Sequence, residues 1–421
     1  RHLKIGAGGL DGCQVAEIKY LPTCAWTVRA MIEDLAFEQH LFLAGHLAVP
    51  TPMLPKPPRD GDVRTAADHR GLTIFSVLYR TISSAWWRRL RAWQEKWAHP
   101  ALRGGLRNLE ALDDAWEAQA DIELARLRGE PLAGLLVDDY TSFDLFQPEF
   151  MAQLQMTMGM PPDLAKQRLY LYDNIVLYIK LAGHFGQGFH PTNGSGQGCS
   201  LSILDSNAFI TVKFNWIVMC HPTVRLGSCW DDCLYRDKHV DVIISVVEDL
   251  QQFDRDGGHV MNTSKTVTFS ITTEQRHELR RRQPQGCEAP LAVIHADHLV
   301  GRTLVTTRTP RRALSNQRAE AAIAAATRLS YMPLPQSARQ RLATTAVVPK
   351  ILVEAQWSWP SDTYLGRLCA AVLRARWGPH RKLRSAEVVA ASLADPTRAY
   401  PTTTIPSHAL RRRVAAVTSS A

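Results

Sequence analysis

The order of elements along the chain predicts an α+β fold: a small antiparallel sheet backed by helices, followed by a mainly helical region. Three observations carry this prediction. Two apolar runs of strand character, Leu132–Asp139 (LAGLLVDD) and Gly227–Asp237 (GSCWDDCLYRD), each bring carboxylates to or near a strand end. Between them lie a glycine-dense loop, His184–Gly198, and a strongly apolar helical stretch. From about Arg311 onward the chain is alanine- and arginine-rich with helical patterning.

Taken in order, residues 1–53 alternate helical apolar patterns with a GLDG turn at Gly9–Gly12 and a VPTP break at Val49–Pro52. Leu54–Asp62 (LPKPPRDGD) is a Pro/Gly-rich loop with strand-like edges. Leu72–Leu90 reads as a helix with Phe75, Leu78, Ile82 and Trp86 on one face, and Leu109–Arg128 as a second helix ended by Gly129 and Pro131. Pro162–Ala182 is mixed, and a helix follows over Leu201–Trp216. Val240, Ile243, Val247, Leu250 and Phe253 keep to one helical face, and Gly257–Gly258 supplies its stop. Thr266–Thr272 returns to strand alternation, and no internal repeat is present.

With 421 residues and 45% hydrophobic content, the chain can bury a large core in two or three lobes. It opens on Arg1 without a signal peptide, which reads as a piece of a longer reading frame. The most apolar stretch, Ile203–Cys220, contains Asp205 and Lys213 and therefore reads as buried core, not a membrane span. Eight cysteines without regular spacing suit an intracellular compartment, nucleus or cytoplasm. Residues 301–421 hold 19 Arg and Lys against 5 Asp and Glu, a local net of +14. The whole chain is +9, so residues 1–300 carry −5. A basic C-terminal lobe beside an acidic site fits a polyanion lying across both, whereas a basic surface kept for solubility is the bland alternative.

Two divalent ions held a few Å apart need several anionic oxygens to offset their mutual repulsion. Asp138 on one strand tip, with Asp231 and Asp232 on another, supply that kind of set. A DD pair alone would be an ordinary solvated turn. Asp139 is the alternative ligand, but strand alternation points it to the face opposite Asp138. Cys220, His221, Cys229 and Cys233 follow no compact zinc spacing.

Six segments occur in an order that resembles the reverse transcriptases, most closely those of non-LTR (LINE-type) retrotransposons, over roughly Gly9–Gly301. Gly9–Pro22 is similar to that family's leading G-x-D-G segment, and Leu54–Lys56 with His69–Thr73 to its fingers signature. Asp138–Asp144 matches D-x-x-x-x-F-D, and Gly194–Ser202 (GSGQGCSLS) resembles G-x-R-Q-G-C-P-L-S. Cys229–Asp232 (CWDD) stands where the family carries Y-A-D-D, and Asn262–Thr266 (NTSKT) resembles N-P-x-K-T. Departures are Cys229–Trp230 for Tyr-Ala, Gly196 for Arg, Ser200 for Pro and Gly71 for Pro; His298–Gly301 only faintly echoes the primer grip.

The resemblance implies a right-hand polymerase: an N-terminal helical lead-in (1–53), fingers and palm (54–305), and a basic, helical, thumb-like region (306–421). It implies an RNA-directed DNA polymerase extending a DNA primer on an RNA template with deoxynucleoside triphosphates, no membrane partner, and two Mg²⁺ ions, or Mn²⁺ in their place. Asp138 and Asp231 would hold the metals, with Asp232 the third acid. Lys56 and Arg70 would bind the triphosphate, Gln197 and Gly198 would shape the pocket floor, and Phe143 would lie beneath the incoming sugar. Lys265 would protonate or neutralise the leaving pyrophosphate. The clusters Arg280–Arg282, Arg311–Arg312, Arg374–Arg384 and Arg411–Arg413 would track phosphates, and Trp377 would stack on a base or sit in the core. An RNA-dependent RNA polymerase and a decayed, non-catalytic nucleic-acid binder are the alternatives.

Overall fold

The computed structural model describes residues 8–56, 68–140, 142–230, 232–299, 302–306, 313–352 and 360–378. Two compact units are formed. The first comprises Arg1–Asp114, Pro131–Thr268 and Thr272–Val293; the second comprises Ala115–Glu130, Phe269–Ile271 and Ile294–Ala421.

The chain begins with α1 (Val15–Ile18), α2 (Thr23–Glu38), α3 (Ala44–Leu47), β1 (Ala48–Pro55), β2 (His69–Gly71), α4 (Val77–Trp97) and α5 (Ala111–Arg128). Then come β3 (Ala133–Val137), α6 (Ser142–Leu145), α7 (Pro148–Thr157), α8 (Pro162–Asn174), β4 (Val176–Leu181), β5 (His184–Phe185) and α9 (Ser202–Cys220). Next are β6 (Arg225–Cys229), β7 (Asp232–Asp237), α10 (Val240–Asp256), β8 (Val267–Ser270), α11 (Thr273–Arg281) and β9 (Ala292–Ile294). The chain continues through β10 (Ala296–Leu299), β11 (Arg302–Val305), α12 (Ala313–Ser330), α13 (Gln336–Leu342), a π-turn, α14 (Pro349–Leu352) and α15 (Asp362–Trp377).

The fold is α+β, as the element order predicts. One sheet has the order β6-β7-β3-β8-β9 and a second the order β2-β1-β4-β5. β6 and β7 form an antiparallel hairpin, and β7 pairs antiparallel with β3. Buried side chains of β3 (Leu135, Val137) and β7 (Cys233, Tyr235) share a core with Phe214 and Ile217 of α9 and with Ile243, Val247 and Leu250 of α10. That stripe on α10 follows the i, i+3, i+4 spacing of its sequence. The helix stops in a Schellman motif, with His259 N–H donating to the Asp254 carbonyl and Gly258 N–H to that of Arg255. Gly258 sits at φ 74°, where a glycine costs least.

Two expectations need correction. The VPTP segment is not a break but lies inside β1, paired in parallel with β4. Proline removes only a donor, and the carbonyls of Pro50 and Pro52 still accept from the N–H groups of Ile74 and Leu72. Those same bonds tie residues 72–74 to β1, so α4 starts at Val77, where the Ser76 hydroxyl accepts from Tyr79 N–H. Its buried face consequently runs through Tyr79, Ser83, Leu90 and Gln94; of the expected stripe Phe75 is buried and Leu78 and Trp86 pack at the flanks, while Ile82 is not part of it.

In the second unit, β10 and β11 form a hairpin, and Val305 N–H donates to Gln119 on α5 at 3.0 Å. A separate core gathers Ala319, Ala322 and Ala326 of α12 with Leu368, Val372 and Ala375 of α15. Alanine at three- and four-residue spacing lets such helices approach closely. Among the described residues no helix is long and apolar enough to cross a membrane.

Candidate active site

The antiparallel register decides where the acids fall. The last registered pair between β3 and β7 is Val137 with Cys233. One step further, Asp138 leaves β3 abreast of Asp232, the first residue of β7. Asp138 is held by its neighbours: its N–H donates to Thr266 Oγ1 at 3.3 Å, and Asn262 Nδ2 donates to its Oδ1 at 3.3 Å. Lys265 Nζ donates to both of its carboxylate oxygens, at 3.1 and 3.2 Å. The carboxylate stays open to solvent, with 36% of the side chain exposed. Asp231 lies outside the described residues. Trp230, before it, holds φ 61°, an uncommon value for a bulky residue, and its carbonyl accepts from Ser228 Oγ at 2.9 Å.

Asp139 points the other way, into the core. Its carboxylate accepts from Lys213 of α9 at 3.0 Å, and the same ammonium pairs with Asp254 of α10 at 2.6 Å. All three are buried, Lys213 completely. Burial works against the Lys213 charge, but the two carboxylates override it and hold its pKa above the ordinary value. Burial pushes the Asp254 carboxyl up to about 6; Lys213 opposes the rise and Asp139 adds to it. The folded state thus binds this proton more tightly than the unfolded chain. The stabilising contribution is fully present below about pH 4 and is lost as pH rises through about 6. Asp254→Asn should therefore flatten the fall in stability over that window, gaining on the parent as pH rises from 4 to 8. Urea unfolding at several pH values measures this; parallel curves for the two proteins would contradict it.

A second set of side chains gathers at Asp144 of α6. Gln197 Nε2 donates to Asp144 Oδ1 at 3.4 Å. Burial raises the Asp144 pKa, while Gln197, Lys56 and Arg70 each pull it down. The β1–β2 register sets Arg70 against Leu54, so Lys56 follows on the same side two residues later. Three of the expected binding residues, Lys56, Arg70 and Gln197, thus converge on one carboxylate. Gly198, at φ 140°, lies where a Cβ would stand 2.2 Å from the Thr73 carbonyl oxygen, and Thr73 N–H donates to the Gln197 carbonyl. Only glycine allows that approach between the glycine-dense loop and the segment after β2. Phe143 is half-buried, edge-on to Phe146 at 6.0 Å, and its carbonyl accepts from Ser195 N–H at 2.7 Å.

Sequence reasoning missed what braces this loop. Arg168 Nη2 of α8 donates to both carboxylate oxygens of Asp205 on α9, at 2.7 and 2.8 Å, and Gln155 is bonded to both residues. The Ser195 hydroxyl donates to Asp205, and Tyr172 bonds Ser195 at 3.2 Å. The signal was a charged residue inside an apolar stretch; its partner stands 37 residues earlier, beyond any local pattern.

Other expectations fall elsewhere. Cys229 and Cys233 are buried, Cys220 is exposed, and His221 pairs with Asp249 at 2.6 Å. No group of three or more metal-ligating side chains is found among the described residues, Asp231 not being one of them. Arg282 pairs with Asp241 and Glu278. Arg376 is a correction: it is buried, its Nη2 donates to Thr344 Oγ1 at 2.9 Å, and burial lowers its pKa to about 10, so it does not reach a phosphate. Trp377 is half-buried. Arg311–Arg312, Arg381–Arg384 and Arg411–Arg413 lie outside the described residues, as do Val300 and Gly301 of the primer-grip echo.

No protein-family model and no curated protein matches the chain. Among solved structures it is similar to telomerase from Candida albicans in complex with a TWJ fragment of telomeric RNA, at 10% identity and TM-score 0.48, covering 89% of this chain and 71% of that one. It is similar to telomerase from Candida tropicalis with a TWJ fragment of telomeric RNA (10% identity, TM-score 0.42, 83% and 61% covered). A third is apo telomerase from Candida tropicalis truncated from its C-terminal domain (13% identity, TM-score 0.40, 63% and 55% covered). The chain thus spans 55% and 61% of the two Candida tropicalis proteins. Likeness this slight carries no functional argument, and the site rests on its own geometry.

Proposed function

We propose that the chain is an RNA-directed DNA polymerase of the reverse-transcriptase kind, from a non-LTR retroelement, extending a primer 3′-hydroxyl with deoxynucleoside triphosphates on an RNA template. The observation that carries this reading is the register that brings Asp138 abreast of Asp232, with the Lys265 ammonium lying on both Asp138 oxygens. Asp138, Asp231 and Asp232 would hold two Mg²⁺ ions, or Mn²⁺. The fit is supported by an all-carboxylate donor set, suited to hard cations, and by a positive charge already resting on Asp138. When bound, such ions lower the pKa of the attacking hydroxyl and neutralise the leaving pyrophosphate.

The chain's own residues supply the rest. Lys56 and Arg70 would hold the triphosphate, Arg through a bidentate fork and Lys as a mobile charge. Gln197 and Gly198 would form the pocket floor. Lys265, freed from Asp138, would neutralise or protonate the pyrophosphate. Residues 54–305 would serve as fingers and palm and residues 306–421 as a basic thumb-like region.

Primer extension on an RNA template with Mg²⁺ tests the reading. Template binding without extension under any metal condition would favour the non-catalytic binder instead. Phe143 separates DNA from RNA synthesis, since a ring beneath the sugar leaves no room for a 2′-hydroxyl and offers it no hydrogen bond. A roughly hundredfold preference for deoxynucleotides requires only about 2.7 kcal/mol. Phe143→Ala should raise the ratio of ribo- to deoxynucleotide incorporation while keeping substantial DNA synthesis. An unchanged ratio would leave Phe143 a core aromatic, and a parent protein preferring ribonucleotides would establish the RNA polymerase alternative.

A further inference from the structure

The buried cluster of Asp139, Lys213 and Asp254 is placed where a core is otherwise apolar, one residue behind the proposed metal ligand. Its connectivity explains more than packing. The chain leaving α10 turns back at Gly257–Gly258 and runs beside the segment that leaves β3. Tyr140 N–H donates to the Val260 carbonyl at 2.9 Å, Asp139 bridges Met261, and Asn262 N–H donates to the Asp138 carbonyl at 2.8 Å. This two-stranded ribbon carries Asp138 on one side and Asn262, Lys265 and Thr266 on the other, all of which touch Asp138. Lys213 is tied to both sides: to Asp139 on the first and to Asp254, at the root of the second. The Asp254 carbonyl also accepts from His259 N–H, and the His259 ring stacks on Phe209 of α9 at 4.2 Å. α9 therefore clamps the ribbon from below through one ammonium and two carboxylates.

We infer that the Asp139–Lys213–Asp254 cluster is a positioning device that fixes the direction in which Asp138 presents its carboxylate. This rests on Asp138 being the metal ligand of the proposed reaction. Asp139 touches nothing that reacts; it acts through its neighbour. The β3–β7 pairs end at Val137, so beyond them Asp138 is held by the ribbon, and Lys213 is the side chain that ties the ribbon's two sides together from the core. Misplacing a ligand by a fraction of an ångström is enough to lower a rate severalfold.

The test is Asp139→Asn in the full chain. The parent cluster sets two carboxylates on one ammonium, so this variant leaves a balanced Lys213–Asp254 pair and no unpaired buried charge. Three readouts are taken. Amide hydrogen exchange at Asn262 and Tyr140, without substrate, should quicken about tenfold or more, and the apparent affinity for Mn²⁺, followed by EPR, should fall severalfold. In primer extension, kcat should fall about tenfold while KM for primer–template stays unchanged. A second variant, Asp139→Leu with Lys213→Met and Asp254→Leu, replaces the cluster by apolar groups and should fold as stably as the parent. It should nevertheless keep the loss in kcat and in Mn²⁺ affinity.

Native exchange rates and Mn²⁺ affinity in Asp139→Asn would overturn the inference, as would native kcat in the apolar variant, which would make the cluster a matter of stability alone. A parent protein that extends no primer counts against the polymerase reading. It leaves the exchange and Mn²⁺ measurements to decide the role of the cluster.

Discussion

Asp138→Asn is expected to abolish primer extension, by roughly a thousandfold or more, while template–primer binding stays nearly intact. Asp138 is the described acid on which the site's contacts converge: Asn262, Lys265 and Thr266 all bond to it, and the β3–β7 register sets it beside Asp232. Removing one carboxylate charge weakens cation binding and the stabilisation of charge that builds up on the transferring phosphoryl group. The fold should tolerate the change, because the side chain is 36% exposed and its contact with half-exposed Lys265 is a partly solvated pair contributing little to stability. Asp231→Asn should behave likewise, and Asp232→Asn should cost less. Thermal unfolding and filter binding, measured beside extension, separate lost chemistry from lost structure. Near-normal extension by Asp138→Asn would remove it from the site.

Much of this arrangement was legible because period-2 and period-3.6 patterns speak about faces. The strand run before Asp138 placed Asp138 and Asp139 on opposite faces, and in the structure one meets Lys265 near solvent and the other meets buried Lys213. The apolar stripe of α10 and its glycine stop were equally plain. The partners of buried charges were not. Asp205 and Lys213 stood out as charges in an apolar stretch, but their counter-ions, Arg168, Asp139 and Asp254, come from separate elements. Nothing local in a sequence records a contact across tens of residues. The prolines of β1 misled for another reason. Turn chemistry is a statement about missing donors, and β1 uses its proline carbonyls, which proline keeps. Arg376 misled through composition, since an arginine-rich helix looks uniformly basic until packing turns one guanidinium inward toward Thr344.

Breaking the Arg168–Asp205 pair is expected to be the most destabilising single change to the site's support. Both side chains are almost fully buried, and the contact of Arg168 Nη2 with both Asp205 oxygens is extended by Gln155, Ser195 and Tyr172. Burial disfavours the Arg168 charge, but Asp205, together with Tyr172 and Cys199, more than offsets this, so its pKa lies above the ordinary arginine value. Asp205→Ala would leave that guanidinium charged and uncompensated in the interior, at a cost of about 3–5 kcal/mol. It would also free the Ser195 hydroxyl, loosening the loop whose Gln197 reaches Asp144. Replacing both partners, Arg168→Leu with Asp205→Leu, removes the unpaired charge together with the pair and should cost far less than either single change. Urea unfolding of the parent, the two single variants and the double gives the coupling energy directly. Strong coupling, with the double variant near the parent in stability but slower in extension, would show that the pair is kept to hold the loop. Additive losses would mean that Arg168 and Asp205 act separately and that the loop is braced by Tyr79, Ser84 and the backbone contacts around Thr73 instead.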